Sequence, residues 1–132
     1  MKWMLMPLKR YADFSGRSRR KEFWMFLLFN VLVGNAWLAL IVGVTLASGN
    51  SDGDPPMIFW VLYALMMIWS IALIVPMIAV HVRRFHDQDK SGWFYLLNFV
   101  PCVGGLVVLY FMIMPGTEGP NRFGDDPKAL AE

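Results

Sequence analysis

Three stretches of this chain, residues 23–48, 56–82 and 93–114, contain no Asp, Glu, Lys or Arg. The 12 basic and 10 acidic residues are confined to an N-terminal arm, two short connections and a tail. A helix packed on a soluble core keeps a polar face toward water, and these stretches have none. In 132 residues too little polar sequence remains to cover them, so lipid is the solvent they suit. Composition agrees: 57% of residues are hydrophobic, against about 45–50% in ordinary soluble domains.

A bilayer's hydrocarbon core is about 30 Å thick and takes about twenty helical residues to cross. The stretches offer 26, 27 and 22. They predict an all-α, polytopic membrane protein of one domain over residues 1–132. Its parts are a basic arm (1–22), spans over 23–48 and 56–82, a connection (83–92), a third span over 93–114 and a polar tail (115–132).

Orientation follows from Lys and Arg outside the spans. The arm holds seven, the connection 49–55 none, the connection 83–92 three and the tail two. The order predicts a cytoplasmic N-terminus. Net charge of only +2 leaves no broad footprint for nucleic acid, and none is expected as a partner. The lone Cys102 has no intramolecular partner for a disulfide.

Pro76 and Pro101 fall inside the second and third stretches, each removing an amide donor and freeing the carbonyl of Ala72 or Leu97. Ser70 and Asn98 are the nearby groups able to satisfy them. Around Pro101-Cys102-Val103-Gly104-Gly105 a second topology arises, in which the third stretch turns back as a re-entrant hairpin and returns the tail to the cytoplasm. Each half would be too short to span. Length favours the full span.

The polar blocks are distinctive. Phe14-Ser15-Gly16-Arg17-Ser18-Arg19-Arg20-Lys21-Glu22-Phe23-Trp24 precedes the first stretch, with Ser18 placed as a helix N-cap. Arg83-Arg84-Phe85-His86-Asp87 leads to Ser91-Gly92-Trp93. Pro115-Gly116-Thr117-Glu118-Gly119-Pro120-Asn121-Arg122-Phe123-Gly124-Asp125-Asp126-Pro127 follows the third. In this order they resemble the domain of unknown function 805 family, small bacterial inner-membrane proteins. The departures are Phe85 where the family has Leu and Asp89 where it more often has Gly, the latter bearing on that loop's turn. The resemblance implies a bacterial inner membrane and a topology class, and no reaction.

Candidate lipid- or partner-binding residues are Arg17, Arg20, Arg83, Arg84, His86, Asp87, Trp24, Trp93, Asn121 and Arg122. The arginines suit lipid phosphate, or pairing with Glu22 and Asp87 to clamp helix ends. Trp24 and Trp93 suit the aromatic belt at headgroup level. Asp87 is also placed to orient a ring nitrogen of His86.

No catalytic residue, metal site or cofactor is assigned. His81 and His86 are five apart, off a common helical face, and no cysteine pair or carboxylate cluster completes a site. The favoured reading is a non-enzymatic membrane component holding anionic lipid or a partner protein on its basic cytoplasmic face. A transporter or channel subunit in a homo-oligomer comes second, and a membrane-embedded enzyme using His86 and Asp87 third.

Overall fold

The computed structural model describes residues 2–48 and 54–129, so most of the charge-poor connection, with Asp52, lies outside the described residues. The elements are α1 (Lys2–Lys9), α2 (Arg20–Ala47), α3 (Met57–Asp87), a 3-10 helix (Gly92–Phe99) and α4 (Gly104–Ile113). Among the described residues there is no strand, only an isolated bridge between Asn121 and Gly124. The fold is all-helical, as expected.

Among the described residues two helices are long and apolar enough to cross a membrane, α2 with 28 residues and α3 with 31. Both outrun the charge-free stretches at their charged ends. Helix α2 starts at Arg20, and α3 continues through Arg83 and Arg84 to Asp87. Pro76 does not interrupt α3. Within the basic arm, Lys2–Lys9 form α1, with Pro7 fully buried.

The single helix expected over 93–114 does not form. The eight-residue 3-10 helix would rise about 16 Å. Helix α4, with ten residues, would rise about 15 Å. Neither reaches across about 30 Å of hydrocarbon. The cause lies at the join. Pro101 has no amide to donate, and the Leu97 carbonyl takes the Val100 amide instead, at 2.9 Å. Cys102 turns the chain at φ 67°. A Cβ on Gly104 would fall on the Leu97 carbonyl, so only glycine lets the backbone reverse so closely.

Phe94 and Phe111 meet edge-on at 6.1 Å across this reversal. Both also contact Phe85 of α3, at 6.0 and 5.9 Å. The carbonyl acceptors expected for Ser70 and Asn98 are also different: each donates within its own turn, Ser70 to Met66 at 2.8 Å and Asn98 to Tyr95 at 3.2 Å.

The chain divides into two units, Met1–Leu27 with Val75–Glu132, and Leu28–Ile74. The first has a core of Phe23, Phe26, Ala79, Val80, Phe85, Val108 and Met112. In the second, outward apolar residues such as Leu32, Leu38, Trp60 and Ile68 are exposed, and Asn35 bonds the Val31 carbonyl of its own helix at 2.7 Å.

Candidate functional site

The last turn of a helix leaves carbonyls without intrahelical partners. At the end of α3 the three polar blocks converge on them. The Ser18 amide donates to the Arg83 carbonyl at 3.1 Å, and the Thr117 amide to that of Asp87 at 2.8 Å. The Asn121 side chain donates to the His86 carbonyl at 2.9 Å. The chain leaves α3 through amides of Asp89 and Lys90 on His86 and Phe85, with Asp89 at φ 56°. This is a Schellman ending with an aspartate in the left-handed position that glycine usually fills. Arg122 braces Asp89, its Nε 3.1 Å from the carboxylate and its Nη2 2.8 Å from the carbonyl.

Arg17, Arg83, Arg84, Glu22 and Asp87 are all buried inside this knot. Arg83 donates to the Ser18 hydroxyl at 2.9 Å, to Glu22 at 3.2 Å and to the Asp13 carbonyl at 2.6 Å. Arg17 donates to Asp87 at 3.0 Å and to the carbonyls of Gly119 and Thr117 at 2.6 and 2.5 Å. Arg84 donates to the other Asp87 oxygen and to the Met114 carbonyl. A buried charge is tolerable only when paired and hydrogen-bonded, and these guanidinium forks have enough donors to join arm, helix and tail at once. Close approach requires small residues: a Cβ on Gly116 would fall on the Asp87 carboxylate.

Three cations face two anions in the knot, so it carries a positive excess. Its border carries more. A basin of about 320 Å³ is lined by Arg19, Arg20, Lys21, Lys128, Pro127, Gly116 and Asp87. The one carboxylate there is already held by Arg17 and Arg84. Arg20 is exposed and donates to the Ile113 carbonyl at 2.9 Å. Arg19 donates to the Pro127 carbonyl at 2.5 Å, while its Nη2 is buried without a hydrogen-bond partner among the described residues. That combination, four cations around a concave floor whose carboxylate is already paired, fits an oxyanion such as phosphate.

Elsewhere in the arm, the Ser15 hydroxyl and Arg10 hold the Asp13 carboxyl at about 2. In the tail, amides of Lys128 and Gly119 donate to Asp126 and lower it.

The sequence candidates divide by this geometry. Arg17, Arg83, Arg84 and Asp87 come together in the buried knot, Arg17 and Arg84 paired with Asp87 and Arg83 with Glu22. Arg20 lies on the basin. Asn121 caps α3, and Arg122 lies outside on Asp89. Asp87 does not orient His86, whose Nδ1 meets the Gly16 carbonyl at 3.2 Å and whose ring stacks on Phe123 at 3.9 Å. Trp24 is 37% and Trp93 78% exposed. Ser18 does not cap α2; it lies two residues before the start and serves Arg83. His81 is packed edge-on against Phe23 and Tyr95, with Nδ1 on the Met77 carbonyl. Lys128 and Thr117 were not singled out from sequence. The Arg-Arg-Lys run beside a span signalled half the basin, while Lys128 reaches it only through the folded tail.

These features define an all-helical chain with two membrane-length apolar helices and a charged knot closing the end of the second. The chain belongs to the family of proteins of unknown function DUF805, whose model matches residues 11–125 and so takes in nearly all of the three polar blocks. It is 44% identical to the inner membrane protein YhaI of Escherichia coli K12 over 128 residues, 97% of either chain. It is 38% identical to the inner membrane protein YhaH of the same strain, over 97% of this chain and 98% of that one. No solved structure matches.

Proposed function

We propose that this chain is a non-enzymatic inner-membrane protein that crosses the bilayer twice, through α2 and α3, and binds the phosphate of an anionic lipid in the basin of Arg19, Arg20, Lys21 and Lys128. The segment from Gly92 to Ile113 is then a re-entrant hairpin, and arm and tail share the cytoplasmic side. The inner membrane comes from the names of the two relatives. The side comes from the arm's seven basic residues, which favour retention in the cytoplasm. The basin carries the lipid reading: four cations line it, and Asp87, its one carboxylate among the described residues, is already paired with Arg17 and Arg84. An enzyme built on His86 and Asp87 loses support because Asp87 is engaged by two arginines.

A basic residue near an anionic membrane surface contributes about 1 kcal/mol, so replacing three should weaken binding about a hundredfold at low salt. The test is Arg19→Gln/Arg20→Gln/Lys21→Gln in purified protein, titrated with fluorescent phosphatidylglycerol and, as control, phosphatidylcholine. Phosphatidylglycerol affinity should fall toward that of phosphatidylcholine, while phosphatidylcholine affinity stays that of the parent. Equal affinity of variant and parent would remove the proposal.

A further inference from the structure

A second cavity, of about 410 Å³, has a different chemistry. Its lining includes Phe14, Val82, His86, Ser91, Trp93 and Tyr95, and no lysine, arginine or carboxylate takes part. It suits a neutral, mostly apolar ligand in volume and in lining, since small-molecule sites of about 300–1,000 Å³ combine apolar walls with a few placed polar groups.

His86 supplies the placed group. Its Nδ1 faces the Gly16 carbonyl, which can only accept, so the neutral ring carries its proton on Nδ1 and leaves a lone pair on Nε2. Phe123, stacked on the ring at an interplanar angle of 5°, fixes its plane. A Cβ on Gly92 would approach Nε2 to 3.4 Å, and glycine leaves that edge of the ring clear. No donor among the described residues reaches Nε2. Also in the lining, the Ser91 hydroxyl accepts the Trp93 amide at 3.4 Å, which leaves its own proton to give.

We propose that this cavity binds the ring of a lipid-soluble hydroquinone, one hydroxyl donating to His86 Nε2. Three observations select that class. The acceptor needs a ligand with a proton to donate, which an acyl chain lacks. Phe14, Trp93 and Tyr95 offer flat surfaces to a flat ring, and Phe14 and Trp93 are 43% and 78% exposed, so their faces are not consumed by the fold. Ile78 and Leu96, also in the lining, belong to the charge-free stretches, so entry from the lipid phase suits the site better than entry from water. The oxidised quinone has carbonyl acceptors only and cannot satisfy Nε2, so the reduced form is preferred. No electron transfer is implied.

The test uses the full chain in phosphatidylcholine nanodiscs, under nitrogen, titrated with a short-chain alkylhydroquinone and with its dimethyl ether. The two share ring and tail, and only the first has hydroxyl protons. Quenching of tryptophan fluorescence should saturate, and the hydroquinone should bind about tenfold more tightly, the usual effect of one hydrogen bond to an otherwise unpaired acceptor. In His86→Phe, which keeps a ring against Phe123, that preference should vanish, and in Trp93→Phe the saturating quench should shrink. Equal affinities for the two compounds in the parent chain would overturn the proposal even if His86→Phe failed to fold. Quenching that rose linearly without saturation, or a preference retained in His86→Phe, would also overturn it.

Discussion

At the scale of single residues, two aspartates at the end of α3 carry different loads. Asp89 sits at φ 56°, where an L side chain ordinarily costs about 1–2 kcal/mol and Asn or Asp somewhat less. Arg122 offsets part of this, although an exposed pair contributes only about 0–1 kcal/mol. Asp89→Gly should therefore leave stability within about 1 kcal/mol of the parent. Asp89→Val should lower it by about 1–2 kcal/mol, because a β-branched side chain has no local bond to offer there. Thermal melts in mild detergent check both. The second position is Asp87, whose two oxygens serve two buried guanidinium groups. Asp87→Asn keeps the shape and removes the charge, and truncating one member of such a group costs about 3–5 kcal/mol. Expression of folded protein should fall sharply, whereas Arg122→Gln, on the outside, should leave it intact. The arm's own link, Asp13 with Ser15 and Arg10, has a carboxyl held below its unfolded value. Its contribution is complete above the ordinary carboxylate range near 4 and is lost only as pH falls toward about 2. Exchange protection of the arm's amides should be flat between pH 5 and 8.

At the scale of elements, α2 and α3 were legible because charge-free runs of 26 and 27 residues need no tertiary information to be read. The third run was ambiguous for a physical reason. Its 22 apolar residues suit a span, yet Pro101, Gly104 and Gly105 suit a reversal, and local signals of opposite sign do not decide each other. What favours the reversal is long-range: the Gln88 side chain on the Phe111 carbonyl, the Arg84 fork on Met114, and Phe94 meeting Phe111 over Phe85. The same holds for the knot. The residue types of the clamp were readable from three blocks of Arg, Asp and Gly, but which arginine faces inward depends on partners up to 107 positions away. Gly104 is the element's weak point, since a Cβ there meets the Leu97 carbonyl. Gly104→Val should open the reversal and separate Phe94 from Phe111. Cys102, exposed at the turn and the sole cysteine, reports it: a spin label on Cys102 should become markedly more mobile in Gly104→Val, and an unchanged spectrum would contradict the packing described.

At the scale of the whole molecule, the decisive question is which side of the membrane holds the tail. Thr117 bonds the end of α3, Arg17 of the arm bonds Thr117 and Gly119, and Arg19 bonds Pro127, so arm, helix end and tail are parts of one charged assembly. Three crossings would put about 30 Å of hydrocarbon between the tail and the arm, and every one of these bonds would be lost. Each of the buried arginines would then need another acceptor in or beside lipid, at several kcal/mol apiece. Two crossings avoid that cost and leave arm and tail on one side. Fusions to fluorescent protein, which matures in the cytoplasm, and to alkaline phosphatase, which is active only outside it, report the side directly. Placed after residue 132, the fluorescent fusion should be bright and the phosphatase inactive, the same result as at the N-terminus. Placed in the connection 49–55, which carries no Lys or Arg, the phosphatase should be active. A phosphatase active after residue 132 would mean three crossings, and the knot of Arg17, Asp87 and Thr117 could not exist in the membrane.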